Sequence, residues 1–187
     1  MTKVVTIFID DILRNFSGAF KECYNEQYPK NTFSTFDIFN LNNFFQSSEV
    51  FNDFFSLNFF TILSASETKY QGCVNDYSNT KHLLNSEGYK IRLVSTVSDT
   101  RHIFANYFFL SKNFISADEV VMLQPEEDIR TAYSQNYIVT TNYNLKGNNV
   151  ILLESDYNTE HAHKFKHVIK KVSDIPKIVF KDSENNE

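Results

Sequence analysis

The chain has 187 residues, 42% of them hydrophobic, and a formal net charge of −5. This length suffices for one domain with a sizeable core and a small insertion. The acidic balance and the lack of a basic stripe predict no direct binding to nucleic acid, and no apolar run is long enough to predict a membrane span. The two cysteines, Cys23 and Cys73, have no metal-type spacing, which favours a reduced, cytoplasmic protein without a secretion signal.

The first third of the chain predicts one buried strand followed by helices. Residues 4–9 form an apolar run that ends at two carboxylates, which is typical of a strand buried on both faces of a parallel sheet. Residues 12–24 carry apolar side chains at helical spacing. Residues 32–61 predict short, phenylalanine-rich helical pieces that pack as a compact core, with an apolar floor for a ligand base as the alternative interpretation.

The remainder of the chain predicts strands that alternate with helices. Helices are expected at 75–88 and 101–113, and strands at 89–94, 119–123, 137–141 and 150–153. This alternation predicts an open, mainly parallel α/β sheet, in which ligands bind beyond the carboxyl ends of the strands. Asp10, Ser95 and Thr140 should therefore meet at one edge of the sheet.

Four segments in this order resemble a known family: Asp10-Asp11-Ile12-Leu13-Arg14-Asn15-Phe16, Thr35-Phe36-Asp37-Ile38, Gly88-Tyr89-Lys90-Ile91-Arg92-Leu93-Val94-Ser95, and Tyr157-Asn158. They are similar to segments of the haloacid dehalogenase superfamily, in particular its 5′(3′)-deoxyribonucleotidase-like branch, which dephosphorylates nucleoside monophosphates. The resemblance implies a three-layer, Rossmann-like α/β core at 1–16 and 75–180. It also implies a small helical cap insertion at 17–74, and we expect a disordered tail at 181–187.

In that family one aspartate attacks phosphorus, and a second, two residues later, acts as general acid and base beside Mg2+. The register anchored on Ile12, Leu13 and Phe16 places Phe8 at the nucleophile position, Asp10 at the acid/base position and Asp11 at the usual glycine. In the alternative register Asp10 is the nucleophile and Ile12 takes the acid/base position. Either register lacks one essential carboxylate, so the resemblance implies a degenerate catalytic site.

The other motifs of the family are also altered. Ser95, with Thr96 beside it, could hold a phosphate oxygen, or could be a turn hydroxyl. Arg130 is the nearest equivalent of the phosphate-binding lysine, or a solvated side chain. Thr140 and Thr141 replace the aspartates that hold Mg2+, which leaves Asp10 as a weak metal ligand. The sequence does not decide whether Asp99 or Asp156 restores a metal site.

A histidine group near the end of the chain is a second candidate metal site. His161, His163 and His167 lie close in sequence, and His163 and His167 could share one helical face. Four lysines crowd the same segment, at 164, 166, 170 and 171. Their positive charge opposes a bound cation, so a solvated basic helix is the favoured interpretation.

These observations predict a catalytically impaired nucleotidase homologue that binds a protein partner or a nucleotide and needs no cofactor. One alternative is an active Mg2+-dependent phosphatase that uses Asp10. Another is a subunit of a larger assembly, whose phenylalanine-rich segment is an interface. The 19 phenylalanines, like asparagine and lysine, have AT-rich codons. This composition suggests a phage-encoded protein located in the host cytoplasm.

Overall fold

The computed structural model describes residues 3–124 and 137–184. Its centre is a six-stranded parallel sheet with the order β3-β2-β1-β4-β5-β6. The strands are β1 (Lys3–Phe8), β2 (Tyr89–Thr96), β3 (Glu119–Leu123), β4 (Tyr137–Thr140), β5 (Val150–Leu153) and β6 (His167–Ile169). The direction of strand addition reverses between β1 and β4, so a crevice is expected beyond the carboxyl ends of these two strands.

The central strands are buried because most of their side chains are apolar on both faces of the sheet. In β1, Val5, Thr6 and Ile7 are all fully buried. One face of the sheet packs against α3 (Cys73–Ser86), α4 (Thr100–Lys112) and α5 (Ile175–Glu184). The opposite face buries Val94 and Ile138 in a separate cluster. This architecture confirms the predicted α/β class with a parallel sheet.

A helical cap lies between β1 and α3. It consists of α1 (Phe16–Gln27), α2 (Ser48–Phe60), a π-helical turn (Thr61–Ala65) and a short 3-10 helix (Leu41–Asn43). Phe20 occupies the centre of its aromatic cluster, with ring centroids 4.1 Å from Phe36 and 5.1 Å from Phe54. Ala105 of α4 packs in the same cluster. The cap therefore has its own core but rests on α4, and the predicted bounds of 17–74 stay a prediction.

The ends of the elements differ in places from the predicted ones. The helix expected from residue 12 begins at Phe16, because residues 9–14 form a turn in which the amides of Leu13 and Arg14 both donate to the carbonyl of Ile9 at 3.0 Å. Helix α3 ends near Gly88, as expected, and the positive φ of 79° at that residue suits glycine.

One prediction for the last part of the chain is wrong. His163 and His167 do not share a helical face, since a 3-10 helix spans Thr159–Lys164 and His167 begins β6. Helix α5 extends to Glu184, the disorder expected at 181–187 stays a prediction, and 185–187 lie outside the described residues. Arg130 also lies outside them. Within the described part of the chain, no helix is long and apolar enough to cross a membrane.

Candidate functional site at the carboxyl edge of the sheet

The turn after β1 presents its first carboxylate to a cavity and buries the second. Phe8, the last residue of β1, and Asp10 both line a cavity of about 260 Å3 between the sheet and the cap. Asp11 is 1% exposed and has a φ of 57°, a left-handed conformation that is uncommon outside glycine. This backbone turn separates the two carboxylates, so they are not a matched pair facing one ligand.

The carboxylate of Asp10 is held by Arg14. Oδ1 of Asp10 accepts hydrogen bonds from Nε of Arg14 at 2.8 Å and from Nη2 at 2.5 Å. Its Oδ2 accepts a third hydrogen bond, at 3.1 Å, from the buried hydroxyl of Ser95 at the end of β2. These contacts neutralise Asp10 and fix its orientation.

Arg14 is fully buried, which is unusual for a charged side chain. Besides Asp10, its guanidinium donates to the carbonyl of Leu63 in the cap at 2.8 Å and to Oδ1 of Asn106 on α4 at 2.7 Å. It also lies over the ring of Phe109, 5.1 Å from the centroid. Because each of its nitrogens already donates to a protein acceptor, Arg14 is a structural cation here and not a free phosphate ligand.

Asp11 has a structural environment of a different kind. Its carboxylate accepts from the amide of Ser17 at 2.9 Å, from the Ser17 hydroxyl, and from the hydroxyl of Tyr157 at 2.9 Å. Lys69 lies 3.4 Å away. Burial, together with the charge of Asp11, raises the pKa of Tyr157 well above its usual range, so this phenol stays protonated as a donor. Asp11 thus anchors the first turn of α1.

The structure brings most of the predicted site residues to one edge of the sheet. Phe8, Asp10, Thr96, Thr140 and Thr141 all line the cavity, and Ser95 reaches it through Asp10. Thr96 is exposed, whereas Thr140 and Thr141 are buried. The convergence expected from the strand order therefore occurs, although the side chains that meet there are mostly uncharged.

The remaining candidate carboxylates, Asp99 and Asp156, do not line this cavity. Asp99 begins α4 as its N-cap and pairs with Arg101, whose hydrogen bonds lower the pKa of Asp99 to about 2. Asp156 lines a separate polar cavity of about 190 Å3, together with Lys69 and Tyr157. Among the described residues no group of three or more His, Cys, Asp or Glu side chains could hold a metal ion. Within the described part of the chain Asp10 is the one carboxylate that lines the cavity, and this donor set does not fit the Mg2+ site that the fold family implies.

Two residues of this region, Arg14 and His102, were not predicted as site residues, although Arg14 lies in the first quoted segment. His102 of α4 is 3% exposed and lines the cavity. Burial lowers the pKa of His102, with Asp99 opposing the shift and Arg101 adding to it. The sequence did hold a signal for it, since the buried side chains His102, Ala105, Asn106 and Phe109 follow helical spacing along α4.

No protein-family model matches this sequence, and no curated protein matches it either. Among solved structures, a Thermotoga maritima protein assigned as a beta-phosphoglucomutase is similar, with a TM-score of 0.55, 10% identity, and coverage of 96% of this chain and 99% of that one. A hydrolase from Streptococcus pneumoniae TIGR4 matches with a TM-score of 0.41, 13% identity, and the same coverage. An identity of 10% shows shared architecture and not shared chemistry. The chain thus has the α/β fold of the haloacid dehalogenase superfamily, as the sequence predicted.

Proposed function

We propose that this chain is a catalytically impaired relative of the 5′(3′)-deoxyribonucleotidase-like branch, and that it acts by binding a protein partner or a nucleotide. The observation that carries the proposal is the end of β1, where Phe8 faces the cavity and Asp10 is paired with Arg14. A phenyl ring cannot attack phosphorus. A carboxylate that already accepts three hydrogen bonds has little capacity left for a cation or a proton transfer.

The surroundings of the segments that carry the resemblance support the proposed relationship to the 5′(3′)-deoxyribonucleotidase-like branch. Asp11, with its φ of 57°, suits the register in which it takes the glycine position. Tyr157 donates to Asp11 at 2.9 Å. This contact connects the last and the first of the segments that carry the resemblance. The cytoplasmic location and the phage origin stay predictions from composition.

The test is Mg2+-dependent hydrolysis of a panel of deoxynucleoside monophosphates and one aryl phosphate. We expect no hydrolysis by the wild type above the level of Asp10→Asn, because neither register supplies both carboxylates. Asp99→Asn is the matched control, since Asp99 lies near the same edge but pairs with the exposed Arg101. The proposal would be contradicted if the wild type hydrolyses a substrate, Asp99→Asn retains this activity and Asp10→Asn loses it. That result would favour the active phosphatase that uses Asp10.

A second candidate function, a subunit of an assembly, is favoured by an exposed apolar strip on the outer side of α2 and α4. The α2–α4 strip consists of Leu57 and Phe60 on α2 and Phe104 and Phe108 on α4, which are 52–85% exposed. The rings of Phe60 and Phe108 lie 6.0 Å apart, so the strip is continuous across the two helices. Contiguous exposed apolar surface of this kind is typical of an interaction site.

The charges beside the strip favour a second copy of this chain as the occupant. The charged residues of α2 are Glu49 and Asp53, whereas those of α4 are Arg101 and Lys112. A two-fold axis through the strip would place the acidic helix of one copy against the basic helix of the other. The chain is then expected to sediment as a dimer and Phe104→Glu as a monomer, with Leu83→Glu on α3 as the control. A wild type that stays monomeric at high concentration would contradict this candidate.

A further inference from the structure

We propose that His102 is an acid-sensitive contact between α4 and the cap, and that its protonation loosens α2 and opens the cavity between the cap and the sheet. The inference goes beyond the proposed function, because it concerns how the cap is held and applies whether or not the site is catalytic. Two features of the structure support it. His102 lies at the contact between the two helices, and its surroundings offer no acceptor to a charged imidazole.

His102 lies where α2 of the cap packs against α4. Its imidazole contacts the rings of Phe55 and Phe59, with centroid distances of 5.0 and 5.1 Å. Asn52 and Phe55, three residues apart on one side of α2, also line the cavity. Helix α2 thus supplies both the rings that cover His102 and part of the cavity wall. A separation of α2 from α4 at this histidine therefore also opens the cavity.

The surroundings of His102 suit a neutral imidazole but not a charged one. The side chain is 3% exposed, and its Nε2 is buried without a hydrogen-bond partner among the described residues. Both ring nitrogens of a protonated histidine are N–H donors, so Nε2 would become a charged donor without an acceptor. Burial accordingly lowers the pKa of His102. This cost of charging disappears when α2 moves away and water reaches the ring.

The charged groups around His102 do not compensate for its burial. On α4, Asp99 favours the charged imidazole and Arg101 disfavours it, and these two side chains pair with each other at 2.7 Å. On the side of the sheet, Asp10 lines the same cavity, but its carboxylate is bound to Arg14. The charged residues of α2 are both exposed: Glu49 and Asp53.

Acid should therefore favour the separated state of the cap. An exposed histidine has a pKa of about 6.5, whereas the pKa of the buried His102 is lower. The separated state thus binds a proton more readily than the packed state. The equilibrium is insensitive to pH above this range and shifts towards separation as the pH falls below about 6.5. Between pH 7.5 and 5.5 the population of the separated state should rise by up to about tenfold.

Hydrogen exchange of the backbone amides measures this separation. We expect the protection of residues 52–60, corrected for the intrinsic exchange rate at each pH, to fall by up to about tenfold from pH 7.5 to 5.5, and that of β2 to fall less. His102→Phe keeps a ring between Phe55 and Phe59 and removes the titrating group, so its α2 protection should not depend on pH. His102→Leu, a smaller side chain that does not titrate, should behave in the same way. Equal pH dependence in the wild type and these variants, or an equal loss of protection in α2 and β2, would overturn the inference.

His161→Gln is the matched control, because His161 lies beside a different contact of the cap. Its ring stacks on Tyr143 with a centroid distance of 4.0 Å, and Tyr143 donates to Asp37 of the cap at 2.7 Å. This variant should retain the pH dependence of α2, and its loss there would overturn the role of His102. Hydrogen exchange does not depend on phosphate ester hydrolysis, so failure of this inference and failure of the proposed function are distinguishable.

Discussion

Phe8 and Arg14 determine the chemistry at the end of β1. Phe8 contributes a ring to the cavity wall, and Arg14 binds the carboxylate of Asp10. Their effects combine, because Phe8 offers no nucleophile and Arg14 occupies the oxygen atoms of the neighbouring carboxylate. Together these two side chains make the strand end apolar and pair its carboxylate internally.

Arg14→Leu should be strongly destabilising. The change leaves Asp10 unpaired and removes the donors that satisfy the carbonyl of Leu63 and the amide oxygen of Asn106. Breaking a buried ion pair in this way costs about 3–5 kcal/mol, and we expect the lower end, since Asp10 is 28% exposed and can be hydrated. The free energy of unfolding can be measured by urea denaturation.

Lys177→Ala is the control for this change. Lys177 is 77% exposed and pairs with Asp174 at 2.7 Å, so its loss should alter the free energy of unfolding by less than about 0.5 kcal/mol. A similarly small effect of Arg14→Leu would show that the buried guanidinium does not hold this region together.

At the scale of elements, α2 has two apolar sides with different environments. Phe51 and Phe54 point into the cap and are 8% and 6% exposed, whereas Leu57 and Phe60 are 85% and 57% exposed. The inner side is explained by the aromatic cluster around Phe20. No contact within the described residues covers the exposed apolar side chains of the outer side. Their exposure therefore favours an interface with another molecule.

Phe54→Ala and Phe60→Ala separate these two roles on one helix. Phe54 packs against Phe20 and Tyr24, with ring centroids 5.1 and 5.3 Å away, so its truncation should lower the free energy of unfolding by about 3–5 kcal/mol. Phe60→Ala should change it by less than about 1 kcal/mol when the chain is monomeric. Urea denaturation of both variants at low protein concentration tests this. Equal losses would show that Phe60 belongs to the cap core.

At the scale of the whole molecule, contacts from separate parts of the chain hold the cap against the sheet. Arg14 bonds to Leu63, Tyr143 bonds to Asp37, and Nζ of Lys112 donates to the carbonyl of Ser66 at 3.1 Å. The cap cluster also includes Ala105 of α4. The cavity therefore lies inside one connected structure, and its shape depends on both the cap and the sheet.

The sequence predicted the bounds of a strand well wherever the strand coincides with one continuous run of apolar residues. The bounds of β3 and β5 agree with prediction, and β1 differs by one residue at each end. It missed β6, whose three residues His167, Val168 and Ile169 alternate too briefly to form a pattern. Only pairing with β5 identifies this segment as a strand. Its flanking lysines and histidines had favoured a basic helix instead.

The candidate site was predictable in position but not in character. Strand order brings the ends of β1, β2 and β4 together, and each end can be identified from local apolar runs. Whether Asp10 is a free carboxylate cannot be determined locally, because its environment depends on residues that are far apart in sequence. Arg14 reaches Leu63 across 49 residues and Asn106 across 92.

The sequence by itself determined the α/β class, the convergence of the strand ends, and the presence of Phe8 where the resemblance expects an aspartate. These properties follow from side-chain chemistry and short-range periodicity. Tertiary structure alone decided that Arg14 neutralises Asp10, that His102 is buried beside the cavity, and that Leu57 and Phe104 remain exposed. Burial and hydrogen-bond partners are set by which distant segments meet, and that information appears only when the cap packs onto the sheet.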